Sequence, residues 1–214
     1  MKLFALQVEV RIMGIIDRAI TQARRVRHFS ANLGPVIVRP RTLCLDPDLQ
    51  VYRGRDFYLS LINKSIAHSL RTGKPFSLAF IDLDDFKVIN ELYGHETGNK
   101  VMRDICAAIR HSVGKKNMVF AYGGDEFLLL MPGLNSIQAR ELAELVGAAI
   151  SRVPIIVEVE GRMENEPITA SIGVVTFSKD FGWGSVEPEV LIEQADVLVY
   201  VAKRHGGNQV VFKK

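Results

Sequence analysis

Met118-Val-Phe-Ala-Tyr-Gly-Gly-Asp-Glu-Phe-Leu-Leu-Leu-Met131 reads as two apolar strands, Met118–Tyr122 and Glu126–Met131, joined across Gly123-Gly124-Asp125. Two strands around so short a connection make a β-hairpin, and the Gly-Gly pair predicts positive φ at both central positions. The same glycines leave the backbone bare, so a bulky polyphosphate can approach without meeting a side chain. A hairpin that only has to turn needs no acids beside its glycines. Asp125 and Glu126, at the tip, are therefore candidates for chemistry.

Upstream, Phe76-Ser-Leu-Ala-Phe-Ile-Asp-Leu83 is a second apolar strand that ends in acids. Asp82 and Asp84 alternate with Leu83, so both carboxylates point to one side. Asp84 and Asp85 read as a helix cap or surface charge at the start of a helical segment, Asp84–Tyr93, which Gly94 ends. Two strand ends that each supply carboxylates form a hard-cation site with oxygen ligands and room for water and phosphate, which suits Mg²⁺.

The remaining pattern places these strands in a larger sheet. Arg55–Thr72 has a helical period with Phe57, Leu61, Ile62, Ile66 and Leu70 inward, and Gly73 stops it. Thr97–Val113, Asn135–Val153 (capped by Asn135 or Ser136) and Glu187–Arg204, with Pro188 in its first turn, are further helices. Ile155–Val159, Ile168–Phe177 and Gln209–Phe212 read as strands, the first two joined by a polar turn. From residue 76 the order is β-α-α-β-β-α-β-β-α-β. It predicts an α+β fold with a ferredoxin-like core: a central, mainly antiparallel sheet flanked by helices, with the helices expected on one face.

Composition narrows the function classes. The 214 residues are 48% apolar and 24% charged, with 27 Lys+Arg against 24 Asp+Glu. Residues 1–45 hold eight of those bases and two acids, leaving 19 bases and 22 acids for residues 46–214. The net +3 thus belongs to a basic leader on an acidic body, and an acidic body argues against nucleic-acid binding. The leader reads as an amphipathic helix, a candidate dimerising segment, and residues 31–50, with Gly34, Pro35, Pro40 and Pro47, as a linker. Domains 1–45 and 46–214 follow. No apolar run is long enough to span a membrane, no signal-peptide pattern opens the chain, and Cys44 and Cys106 make neither a disulfide framework nor a metal site. A reducing, cytoplasmic setting is the default. Cys106 reads as a small core residue. Ser171 has no His–acid partner, so nucleophilic catalysis finds no support. Trp183, between two glycines, is unassigned.

The motifs occur in a recognisable series: Asp82-Leu-Asp-Asp-Phe-Lys-Val-Ile-Asn90, Gly94-His-Glu-Thr-Gly98, Gly123-Gly-Asp-Glu-Phe127, Ser171-Ile-Gly173, and Ala195-Asp196 through Tyr200, Ala202-Lys203, Gly206 and Asn208. In this the chain resembles the GGDEF domain of the diguanylate cyclase family over about residues 45–212. The resemblance implies a palm like that of adenylate cyclases and polymerases. It implies GTP as substrate and a homodimer whose two domains face each other to make cyclic di-GMP and two pyrophosphates. Asp82, Asp125 and the Leu83 carbonyl are then the metal ligands for Mg²⁺, with Mn²⁺ as a substitute. Glu126 assists the metal or the deprotonation of the attacking hydroxyl. Lys87 and Lys203 contact phosphates, Gly123 and Gly124 lie along them, and Asn90 contacts guanine.

Several positions depart from the family pattern. Asn99 stands where an Asp commonly meets the guanine edge; Asn both accepts and donates, so weakened base discrimination and a hybrid cyclic dinucleotide are expectations. Ala121 and Gly207 replace two usual arginines, and Asp46-Pro-Asp-Leu-Gln-Val-Tyr-Arg-Gly-Arg55 is a worn form of the family's opening segment. These changes make a nucleotide-binding module without turnover the alternative to a cyclase. Gly114-Lys-Lys-Asn117 replaces the family's inhibitory Arg-x-x-Asp, so no product inhibition is expected through that site.

Overall fold

A computed structural model describes residues 44–159, 162–179 and 186–213. The expectations for the leader and for Trp183 lie outside these residues. Nine strands and four helices are described: β1 Cys44–Leu45, β2 Tyr52–Arg53, α1 Arg55–Thr72, β3 Phe76–Asp84, α2 Phe86–Val113, β4 Met118–Gly123, β5 Glu126–Pro132, α3 Ser136–Ile150, β6 Ile155–Val159, β7 Arg162–Glu166, β8 Thr169–Phe177, α4 Pro188–Arg204 and β9 Val210–Phe212. The main sheet runs β1-β2-β4-β5-β3-β8-β9. Its centre, β4-β5-β3-β8, is antiparallel, while the β2–β4 and β8–β9 pairs are parallel. The mainly antiparallel α+β sheet is thus as expected.

The helices cover both faces rather than one. Along β3, Ala79, Ile81 and Leu83 join one buried cluster with Val101, Ile105 and Ile109 of α2 and Ala139, Ala143 and Val146 of α3. Phe76, Leu78 and Phe80 join a second cluster with Tyr58, Ile62 and Ile66 of α1 and Leu191 and Leu198 of α4. A strand buried on both sides is apolar along its run, and β3 reads that way until its acids except at Ser77, whose buried hydroxyl bonds the Leu134 carbonyl and Thr176. Each fully buried Phe or Leu contributes roughly 2–3 kcal/mol of transfer free energy.

Local rules set most boundaries. Gly73 ends α1 in the left-handed conformation, φ 74°. Asn135 accepts from the backbone N–H groups of Ile137 and Gln138 while the Gln138 side chain accepts from the Asn135 N–H, a capping box that starts α3. The buried face of α1 is Tyr58, Ile62, Ile66 and Ser69; Leu70, expected inside, is 45% exposed. Residues 44–53, expected within or beside a linker, form an ordered hairpin. The Asp46 carboxylate accepts from the N–H groups of Asp48 and Leu49 and pairs with Arg53 at 2.8 Å. The polar turn expected after Ile155–Val159 contains a strand, Arg162–Glu166, which pairs with β6 in a separate two-stranded sheet. Its residues, Arg-Met-Glu-Asn-Glu, have no apolar alternation to announce a strand; it pairs along its length with β6, and Asn165 Oδ1 accepts from the Ile155 N–H at 3.1 Å. No described helix is long and apolar enough to cross a membrane.

Candidate active site

Strand alternation sends Asp82 and Asp84 to the same side as Phe80, toward α4. The two carboxylates then take different tasks. Asp84 neither caps α2 nor stands free. It accepts from Thr169 Oγ1 at 2.6 Å, Ser171 Oγ at 2.7 Å and the Asn208 N–H at 2.9 Å. It thereby ties the end of β3 to the start of β8 and to the turn after α4. Asp85 occupies the cap position of α2 in the left-handed conformation, φ 54°, without a side-chain capping bond. The cap expected from Asp84 and Asp85 is therefore not formed. Gly207 sits against the Asp84 carboxylate with φ 70°, where a side chain would be strained.

Asp82 faces Glu126 across the β3–β5 ladder, and the Leu83 N–H donates to the Asp125 carbonyl at 3.2 Å. This stitches the hairpin tip to the strand end, so Asp82, the Leu83 peptide, Asp125 and Glu126 meet at one edge of the sheet. Gly123 and Gly124 do not have the positive φ expected of them. The chain reverses through Gly124-Asp125, and a bulge between Ala121 and Gly123 takes up the extra residue, with no left-handed residue in the turn. Space is what the glycines provide. A Cβ on Gly123 would stand 2.5 Å from Glu126 Oε2, so the Glu126 carboxylate folds over bare backbone, and Gly124 is open on all sides.

One cation serves this edge directly: Lys203 Nζ lies 2.6 Å from Asp82 Oδ1. Burial pushes the Asp82 carboxyl up from its ordinary range, against the lowering effect of the Lys203 hydrogen bond and charge, with Asp125 and Asp84 raising it further. Glu126 is also raised, first by desolvation and then by the charges of Asp82, Asp125 and Asp196. Asp196 joins them, raised by lost hydration and lowered by Lys203. The expected set did not include Asp196 as a functional residue. Its signal was spacing: Asp196 and Lys203 are two helical turns apart, on one face of α4. Among the described residues no group of three or more His, Cys, Asp or Glu side chains could by itself hold a metal ion. Two carboxylates and a backbone carbonyl at an anionic edge are nevertheless the oxygen donors that suit a hard divalent cation, which completes its shell with water and phosphate oxygens.

A cleft of about 600 Å³ opens on the other side of the hairpin tip, with Lys87, Asn90, Asn99, Gly124 and Asp125 on its walls. Asp125 thus belongs both to the cleft and to the acidic edge. Lys87 is exposed and pairs with Glu91 at 3.2 Å. Asn90 and Asn99 come together because α2 is broken at Gly94, φ 80° and ψ 161°. In a straight helix residues eight apart lie about 12 Å apart along the axis. Here Asn90 reaches Gly98, where an added Cβ would overlap its Oδ1. On the reading implied by the resemblance, in which Asn90 contacts the base, Gly98→Ala is expected to push the Asn90 amide out of the cleft and weaken nucleotide binding roughly tenfold, the worth of one lost hydrogen bond to a base. The melting temperature should change little. Calorimetric titration with a non-hydrolysable GTP analogue checks this; unchanged affinity would refute it.

The wall facing these asparagines is the 44–53 hairpin, through Asp46, Asp48 and Arg53. Residues read from the sequence as a linker and a worn motif therefore shape the cleft. The remaining assignments are plain: Ser171 is buried on β8 with its hydroxyl spent on Asp84, and Cys106 is buried, its thiol pushed up to about 12 by desolvation.

With this geometry in place, comparison with known proteins is direct. Residues 52–209 match the family model described as diguanylate cyclase, GGDEF domain. The diguanylate cyclase DosC of Escherichia coli is 33% identical over 156 residues, 73% of this chain and 32% of its own length. The response regulator PleD of Caulobacter vibrioides is 33% identical over 196 residues, 92% of this chain and 42% of its own length. The chain thus spans between a third and a half of these relatives. The solved GGDEF domain of DgcB from Caulobacter crescentus, in complex with c-di-GMP, superposes with a TM-score of 0.69 at 23% identity, covering 84% of this chain and 97% of that one. At that identity it shows a shared fold. The family match and the 33% identical relatives carry the assignment: the chain belongs to the GGDEF diguanylate cyclase family.

Proposed function

We propose that the chain is a Mg²⁺-dependent diguanylate cyclase that joins two GTP into cyclic di-GMP at the interface of two copies. The carrying observation is the meeting of Asp82, Asp125, Glu126 and Lys203 at one sheet edge, with the Asn90/Asn99 cleft opening from the same hairpin tip. In this reading the base lies in the cleft and the triphosphate runs past Gly124 and Gly123, with Lys87 and Lys203 toward its oxygens. Asp82, Asp125 and the Leu83 carbonyl would hold Mg²⁺. When bound, the ion neutralises charge on the triphosphate and the departing pyrophosphate.

The chain's own groups orient and move a proton. The 3′-hydroxyl of one GTP forms a bond to the α-phosphorus of the other, and the bond from that phosphorus to the pyrophosphate oxygen breaks. The proton leaves through Glu126 to water. A carboxylate whose proton affinity is raised by desolvation and neighbouring anions is a stronger base than an ordinary Glu. Two such steps close the ring and release two pyrophosphates. Phosphoryl transfer asks mainly for positioning and charge neutralisation, which this edge supplies. A reaction that consumes GTP belongs in the cytoplasm.

Each site holds one GTP and needs the opposing site, so the rate per chain should rise with protein concentration in dilute solution and then level off. A rate per chain that is constant over a hundredfold range of concentration down to nanomolar would contradict the two-domain reading. The alternative, a nucleotide-binding module without turnover, draws on Ala121 and Gly207, which carry no guanidinium. The intact carboxylates and both lysines favour turnover.

A further inference from the structure

The cleft has a carboxylate that the family-like assignments leave unused. We propose that Asp48 reads the donor edge of the purine, supplying the acceptor-only carboxylate that Asn99 does not and keeping the site selective for guanine. This rests on the cyclase reading of the same cleft. Asp46, Asp48, Asn90 and Asn99 all line the cleft. Asp46 is spent: one oxygen accepts two backbone N–H groups and the other pairs with Arg53. Asp48 is exposed, and its place is set by its own backbone N–H bonded to Asp46 rather than by its side chain. The turn therefore fixes the backbone at Asp48 and leaves its carboxylate exposed on the cleft wall, open to a ligand.

The chemistry is selective. Guanine offers N1–H and N2–H as neighbouring donors, which a carboxylate accepts as a pair; adenine presents a lone pair at N1 and repels it. Arg103 lies one turn beyond Asn99 on α2 and lines the same cleft. A guanidinium suits the O6 and N7 acceptors of guanine and is opposed by the N6 amino group of adenine. An acid and a base lining one cleft thus suit guanine and oppose adenine. The weakened discrimination expected from Asn99 alone is replaced here by retained selectivity.

The test compares the full chain with Asp48→Ala. Affinity for non-hydrolysable GTP, ATP and ITP analogues is measured by calorimetry, and products from equimolar GTP and ATP are identified by mass. The parent should prefer GTP over ATP and, because ITP lacks the 2-amino group, over ITP. In Asp48→Ala both preferences should fall roughly tenfold, the worth of one paired base contact. Melting should be unchanged, since the Asp46 turn does not use the Asp48 side chain. Asp48→Asn should lose preference similarly, because its amide brings a donor to a donor edge. A parent that binds GTP with no preference over ATP, or an Asp48→Ala protein that keeps both preferences, overturns the inference and leaves the cyclase reading standing. A parent that binds no purine nucleotide overturns both.

Discussion

Asp82→Asn is expected to cut cyclic dinucleotide formation roughly a hundred- to thousandfold, the loss typical of removing one preorganised charge-stabilising group, while the variant melts no lower than the parent at pH 7. Both halves come from one feature. The Asp82 carboxylate is half-buried at the end of β3, and its proton affinity is raised by desolvation in spite of Lys203. A group whose folded pKa lies above its unfolded value contributes stability that is fully present below the unfolded pKa and is lost as pH rises through the folded one. Once ionised, the carboxylate is therefore a burden on the nucleotide-free fold. The neutral amide of Asn removes it, and Lys203, partly exposed, keeps contact with water when its partner is neutral. The stability advantage of Asp82→Asn should shrink as pH falls toward 4. Activity moves the other way because the same charge is a proposed metal ligand. Thermal melts from pH 4 to 8 beside turnover assays check this; a variant markedly less stable than the parent at pH 7 would show that the pair with Lys203 dominates.

Lys203→Met should be destabilising as well as inactive. Lys203 lowers the proton affinity of Asp82 and Asp196 and acts against the raised affinity of Glu126. Without it, carboxylates that already repel one another lose their common cation. Breaking a fully buried pair costs about 3–5 kcal/mol, but the lysine here is 41% exposed, so about 1–2 kcal/mol is expected at pH 7. The deficit should disappear on acidification, as the carboxyls protonate, and should be partly relieved by added Mg²⁺. The acid limb of any residual activity should move to higher pH. A Lys203→Met protein as stable as the parent across this range would refute the pairing as the edge's electrostatic anchor. The opposite signs of the two substitutions at neutral pH make the pair a sharper test than either alone.

The legibility of this molecule in its sequence follows the range of its interactions. Strand and helix positions rest on local periodicity, and Gly73, Asn135 and Pro188 mark their ends as local rules require. Asp125 and Glu126 can be singled out because acids beside the glycines of a hairpin serve no turn, and Asp82 because it ends an apolar strand in a carboxylate. The helices on both faces could not, because strand alternation alone does not say which helix covers which side. The bond set of Asp84 joins residues 85, 87 and 124 positions away, and no local pattern encodes it. Gly123 and Gly124 were read as turn formers because Gly-Gly usually serves that end; the bulge removes the need, and the missing side chains serve Glu126 instead. The cleft wall is hidden for a related reason: Asp46-Pro-Asp has the composition of a loop, and the bonds from the Asp48 and Leu49 N–H groups to Asp46, the strand pairing and the ion pair to Arg53 together turn it into a fixed surface.

The most direct test of the account is the product made from GTP and Mg²⁺ by the full chain, beside an Asp125→Ala control, with mass identification and pyrophosphate quantified. The account predicts cyclic di-GMP with two pyrophosphates for each molecule formed, and none above background from the control. A parent protein that binds GTP at high concentration yet forms no cyclic dinucleotide and no pyrophosphate would contradict it.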